Sequence, residues 1–157
     1  MTTTQECDLV DCKPQMLAVT EAVVRQGEAS KHIIGMFDIV YAWRKRTGAR
    51  QTGHNYAIYL PVPGGLRMQA GFPVAERFAD AEQVKCIELP AGKAVRTAHY
   101  GDYGKLDVAY RRLEKWCTEQ DIDIRGKLSW EVYGDPSEDS LQNRTDLYIL
   151  IEALQAG

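Results

Sequence analysis

Residues 128–136 read Leu128-Ser129-Trp130-Glu131-Val132-Tyr133-Gly134-Asp135-Pro136, a pattern typical of a β-strand that ends in a turn. Because side chains alternate across a strand, Trp130 and Val132 share one face, while Glu131 and Tyr133 share the other. One possibility is that the Trp130 face packs on a helix. The opposite face then holds a carboxylate beside a phenol, which indicates either a solvated edge strand or a binding groove with a partly buried acid at its floor.

Composition restricts the class of protein. The chain has 157 residues, 45% of them hydrophobic, which is enough for one domain spanning 1–157. The net charge of −3 and the lack of a basic stripe argue against direct nucleic-acid binding. No apolar run is long enough to cross a bilayer, and the N-terminus lacks a signal pattern, so we expect a cytoplasmic protein.

Cysteine and histidine spacing gives no sign of a metal or another cofactor. The four cysteines form no C-x-x-C pair, and the three histidines are scattered along the chain. We therefore expect free thiols, no metal site and no bound cofactor.

An internal repeat organises the rest of the chain. A strand, a helix and two further strands are predicted in the first half, about 6–75, and again in the second half, about 84–152. Trp43 corresponds to Trp116, and residues 56–59 correspond to 130–133. The fold class is thus α+β, a pseudo-twofold pair of strand-helix-strand-strand units whose antiparallel sheets surround a central cleft. We predict one long or bent strand in 6–25, after Pro14, and another at 84–100 that bends near 90–92, and we expect neither half to fold alone.

The repeat also shows where the halves differ. Ala57 stands at the position equivalent to Glu131, and Gly71 stands opposite Tyr148. We interpret this difference as a cleft in which one half supplies small residues and the other supplies an acid and phenols.

Several motifs of the second half together resemble a known family, the GyrI-like (gyrase-inhibitor-like) small-molecule-binding domain. The same domain forms the effector-binding part of AraC-type and MerR-type multidrug-responsive regulators. The motifs are Leu-Pro-Ala-Gly at 89–92, His-Tyr-Gly-Asp-Tyr at 99–103, a helix with Tyr110, Leu113 and Trp116, Trp-Glu-Val-Tyr at 130–133, and Thr-Asp-Leu-Tyr-Ile at 145–149.

The resemblance implies a ligand as well as a fold. Members bind lipophilic, aromatic or cationic compounds in a central cleft with a buried glutamate at its floor, and that glutamate corresponds to Glu131. We expect a stand-alone domain in drug or toxin resistance or sensing, because no DNA-binding segment precedes it. The ligand-binding candidates, from the resemblance and from the aromatic residues near Glu131, are Glu131, Tyr133, Tyr148, Tyr59, Tyr103, Trp130, His54 and Tyr56.

Two other functions stay open. Some stand-alone members are hydrolases that open cyclopropane rings of DNA-alkylating natural products, which would make Glu131 a general base and Tyr133 its catalytic partner. Others protect gyrase, and in that case the chain would act as an interaction protein. Homodimerisation and contact with gyrase are both compatible with the resemblance.

Overall fold

The computed structural model describes residues 7–81, 83–135 and 138–154. Residue 6 and Pro136, which the predicted elements included, lie outside this part. The described residues form an α+β fold with one antiparallel sheet and two helices. The strands are β1 (Asp8–Cys12), β2 (Gln15–Val24), β3 (Asn55–Val62), β4 (Gly65–Pro73), β5 (Lys85–Leu89), β6 (Gly92–Tyr100), β7 (Ser129–Tyr133) and β8 (Arg144–Ala153), and the helices are α1 (Ala29–Thr47) and α2 (Leu106–Glu119).

The predicted pseudo-twofold repeat is confirmed. The units β2-α1-β3-β4 and β6-α2-β7-β8 join through β3 and β7 into a continuous curled sheet of order β1-β6-β8-β7-β3-β4-β2-β5. In the β3–β7 register, Ala57 lies opposite Glu131. Since these two residues are equivalent in the repeat, the pseudo-twofold axis passes between them.

The long strands predicted at 6–25 and 84–100 are wrong, because each is two strands. Pro14 separates β1 from β2, and Pro90 separates β5 from β6; proline has no backbone N–H to give to a ladder and favours such breaks. β1 pairs with β6 of the second half, and β5 pairs with β2 of the first. Each half therefore contributes the edge strand next to the other half.

The Trp130 face packs on other strands and not on a helix. Trp130 is buried in a cluster drawn from strands alone, with Leu17, Val19, Ile58, Leu89, Ala94 and Leu150. The sheet curls around this face, so its own strands from both ends bury Trp130. Burial by the sheet accounts for the apolar residues here without any helix.

The helices instead cover the two outer parts of the opposite face. α1 packs Met36, Val40 and Trp43 over β2 and β4, and α2 packs Leu113 and Cys117 over β6 and β8. Neither helix covers the β3–β7 pair at the centre. The space between the helices, above these two strands, is the cleft.

Gly71 does not line the cleft as a small residue, which the repeat had suggested. It pairs with Tyr56, whose side chain joins the strand-only cluster, so Gly71 faces away from the cleft. A Cβ on Gly71 would lie 1.7 Å from the carbonyl oxygen of Ala18. Glycine is required there by the close approach of β2.

Candidate functional site

The floor of the cleft is formed by alternate residues of the two central strands. Asn55 lies opposite Tyr133, Ala57 opposite Glu131, and Tyr59 opposite Ser129. Directly opposed residues of an antiparallel pair point to the same face. All six therefore face the helices, and Glu131 lies at the middle of the floor.

Three phenols surround the Glu131 carboxylate, which is only 5% exposed. Tyr133 donates to Oε1 at 2.5 Å, and Tyr59 donates to the same oxygen at 3.3 Å. Tyr110, from α2, donates to Oε2 at 2.5 Å. Both carboxylate oxygens are thus satisfied by protein donors, which offsets part of the free-energy cost of burying the charge.

Burial and hydrogen bonding act in opposite directions on this acid. Desolvation raises the pKa of Glu131, and the hydrogen bonds from Tyr110, Tyr133 and Tyr59 partly reverse the increase. The pKa values of these three tyrosines are also raised, first by burial and then by the neighbouring carboxylate. The phenols keep their protons and remain hydrogen-bond donors.

The walls of the cleft are apolar and aromatic. α1 contributes Ile33, Ile34 and Phe37, while Tyr103, Leu106 and Tyr110 come from α2 and the turn before it. The cavity has a volume of about 750 Å³, which suits a drug-sized molecule. No lysine, arginine or histidine among the described residues lines it, so Glu131 is the charged group of the cleft.

Aromatic rings fix the position of Tyr133. The Phe37 ring meets it edge-on at a centroid distance of 6.0 Å, and the Tyr103 ring does so at 5.7 Å. Tyr103 is 43% exposed and stands at the mouth of the cleft. The ring of Tyr133 is therefore held from two sides while its hydroxyl reaches Glu131.

Four of the residues proposed from the sequence come together in the cleft: Glu131, Tyr133, Tyr59 and Tyr103. Trp130, Tyr56 and Tyr148 do not, because they lie on the other face of the sheet. There the Trp130 and Tyr148 rings stack at 5.2 Å. These three residues contact a separate hollow of about 210 Å³ next to β1.

His54 lies outside the cleft, in an adjoining side groove of about 590 Å³. The groove is lined by Tyr41, Arg44, Gln51, His54 and Asp135, and it shares Asn55, Tyr103 and Tyr133 with the cleft. The His54 imidazole lies 3.1 Å from the Asp135 carboxylate at an exposed position.

Tyr110 and Phe37 line the cleft but were not predicted as site residues, whereas Asn55, which begins β3 beside His54, was a weak candidate and does line it. Tyr110 was assigned to the apolar stripe of α2, and that stripe does face the sheet. Helical spacing identifies the inward face of a helix. It does not distinguish the side chains on that face that pack on the sheet from those that line the cleft. The Tyr110 hydroxyl on that inward face was the available signal of a polar site, because a buried phenol needs a hydrogen-bond partner.

Other classes of site are not found in the described part of the chain. No three histidine, cysteine or acidic residues there converge as metal ligands. No described helix has the length and apolar character required to span a membrane.

Comparison with solved structures shows the same fold at low identity. The EcmrR C-terminal domain is 17% identical, with a TM-score of 0.75 over 97% of this chain and 100% of that one. SAV2435 bound to tetraphenylphosphonium is 15% identical, with a TM-score of 0.71 and 93% coverage of both chains. A hydrolase encoded by lin2189 from Listeria innocua is 10% identical, with a TM-score of 0.58 over 93% of this chain and 91% of that one.

Coverage of EcmrR depends on which of its structures is compared. In the EcmrR–DNA complex the identity is 18% and the TM-score 0.75 over 95% of this chain, but the match spans only 58% of the EcmrR chain. No curated protein matches the chain. The profile of one family, the GyrI-like small molecule binding domain, matches residues 5–152. With nearly its whole length matched and the fold in agreement, the chain belongs to the GyrI-like small-molecule-binding domain family.

Proposed function

We propose that this chain binds lipophilic aromatic cations in the cleft, with Glu131 as their counter-charge. One observation carries the proposal: a buried carboxylate is the charged group of a cavity whose other described lining residues are apolar, aromatic or neutral. An anionic ligand would meet Glu131 with no compensating cation. A cation would find both an ion-pair partner and aromatic faces.

The surroundings of Glu131 also favour such a ligand. The acid is kept out of water, and its raised pKa shows that the ionised form is disfavoured there. A bound cation would stabilise the ionised carboxylate by pairing with it inside the cavity. The phenols of Tyr59, Tyr110 and Tyr133 would keep the carboxylate in place, so little reorganisation would be needed on binding.

A relative of the same fold supports this ligand class. SAV2435 has been solved with tetraphenylphosphonium, which is a lipophilic aromatic cation. At 15% identity the comparison supports the fold alone, and the case for a cationic ligand rests on Glu131 of this chain.

Hydrolysis is the second candidate, favoured by the same raised pKa. A carboxyl group whose pKa is raised toward neutrality can act as a general base on water, and a Listeria innocua relative is a hydrolase. In that reaction Glu131 would accept a proton from water as the water oxygen bonds to a carbon of the strained ring. A ring C–C bond would break with its electron pair on the departing carbon, and the protonated Glu131 would return a proton to that carbon. Because its own pKa is also raised, Tyr133 would orient the reacting group by a hydrogen bond.

The test is a pair of probes with one shape and opposite charge, tetraphenylphosphonium and tetraphenylborate, titrated into wild type and Glu131→Gln. We expect wild type to bind the cation in clear preference, and Glu131→Gln to lose at least about tenfold in affinity for it. Glu114→Gln, an exposed charge removal on α2, is the control. Equal binding of both probes by wild type would contradict the proposal. Product from a cyclopropane-bearing alkylator, absent in Glu131→Gln, would instead establish the hydrolase.

A further inference from the structure

The side groove differs from the cleft in its chemistry. Arg44 lines the groove, whereas none of the described residues that line the cleft is basic. The two spaces are divided by Tyr103 and Tyr133, whose rings meet edge to face. Because both residues line both spaces, a ligand in the cleft would lie against these two rings, and a substituent that passed Tyr103 at the mouth would reach the groove.

Arg44 is positioned by neutral groups. Its guanidinium lies 5.1 Å from the centroid of the Tyr41 ring and donates a hydrogen bond to the Gln51 side chain. Among the described residues it makes no ion pair with a carboxylate. A guanidinium has five N–H donors in a planar fork that fits a carboxylate. The groove thus holds a preformed cationic donor without an acidic partner in the described part of the chain.

A polar chain connects Arg44 to the floor of the cleft. Gln51 also donates to the Asn55 side chain at 3.3 Å, and Asn55 in turn donates to the Tyr41 hydroxyl. Asn55 is a floor residue of the cleft, directly opposite Tyr133. The position of the guanidinium is therefore set relative to β3, which pairs with β7, the strand that carries Glu131.

The groove also contains one carboxylate, that of Asp135. It is 89% exposed and lies beside the His54 imidazole at the outer rim. Solvent screens a charge so exposed. Arg44 is half-buried, so its charge acts more strongly on a ligand group inside the groove.

We propose that the side groove is a subsite for an anionic substituent, a carboxylate held by the Arg44 fork, on an aromatic cation bound in the cleft. The preferred ligands of this chain are then zwitterionic aromatic amphiphiles, with Glu131 and Arg44 recognising opposite ends. This inference rests on the proposed function, because the cationic end must occupy the cleft.

The test uses two dyes that differ by one carboxylate, rhodamine B and its ethyl ester, with binding followed by fluorescence anisotropy at neutral pH. We expect wild type to prefer the zwitterion. Arg44→Gln should weaken rhodamine B roughly tenfold, the loss of a hydrogen bond to a charged group, and change the ester less than twofold. Lys45→Gln, an exposed charge removal at the same end of α1, should change neither.

Contrary results have distinct meanings. A wild type that prefers the ester, or an Arg44→Gln that keeps the wild-type ratio of affinities, would overturn the inference. Arg44→Lys is the second variant; it retains charge but lacks the fork, and a ratio equal to that of wild type would also overturn it. If Glu131→Gln leaves ester binding unchanged, the proposed function itself fails.

Discussion

The two halves of the molecule meet at one pair of residues, Ala57 from β3 and Glu131 from β7. The backbones around them are equivalent, and both positions are buried. One half contributes a methyl group, and the other contributes a carboxylate with three phenol partners. At the axis of a twofold, two identical acids would face each other and would repel when both are ionised, and a difference between the halves avoids this repulsion.

Replacing Ala57 by the glutamate of the other half should have the largest effect on stability. Ala57→Glu places a second carboxylate opposite Glu131 without the phenols that satisfy the first. We expect it to lower the free energy of unfolding by at least about 3 kcal/mol at neutral pH, as for an uncompensated buried charge. Urea titration measures the loss. Ala57→Gln adds similar volume without charge and should cost clearly less; equal costs would mean that crowding alone is responsible.

Removing phenol donors should have an intermediate, graded effect. Tyr110→Phe and Tyr133→Phe each remove a 2.5 Å hydrogen bond to the carboxylate, and we expect each to cost about 1–3 kcal/mol at neutral pH. Tyr59→Phe removes the longer bond, at 3.3 Å, and should cost less. Urea unfolding midpoints give the order. If Tyr59→Phe were the most damaging of the three, the hydrogen-bond geometry would not explain the stability of the site.

The smallest effect should be on stability as a function of pH. Because folding raises the pKa of Glu131, the folded state binds more protons than the unfolded state between the two pKa values, and stability falls as pH rises through that window. Glu131→Gln removes this fall. Thermal melts from about pH 4 to about pH 8 should therefore diverge, with the variant relatively more stable at the upper end. Parallel curves would contradict the direction of the shift.

Much of the site was predictable because it depends on local alternation. The period of two along β7 placed Glu131 and Tyr133 on one face and Trp130 on the other, and the repeat placed Tyr59 beside them. Tyr148 was assigned to the cleft because its partner was unknown. In the sheet it lies opposite Trp130, which puts it on the far face.

The parts that could not be predicted depend on pairing between distant segments. The sequence of residues 8–12 does not indicate that β1 pairs with β6 of the second half. Similarly, the sequence of β5 does not indicate that it pairs with β2 of the first half. Likewise, the sequence does not distinguish Arg44 from the two basic residues that follow it in the last turn of α1. Its role in the side groove follows from contacts with Tyr41 and Gln51 that exist only in the folded chain.

If Glu131 provides the charge that a cation meets in the cleft, cation binding must depend on the protonation of this residue. Tetraphenylphosphonium affinity should be measured across pH for wild type and Glu131→Gln. Since the cation favours the ionised carboxylate, wild-type affinity should rise with pH, by up to about tenfold per pH unit, until Glu131 is ionised in the free protein. The variant should bind weakly at every pH, with no rise. A flat wild-type profile, or a variant with the same slope, would contradict the account.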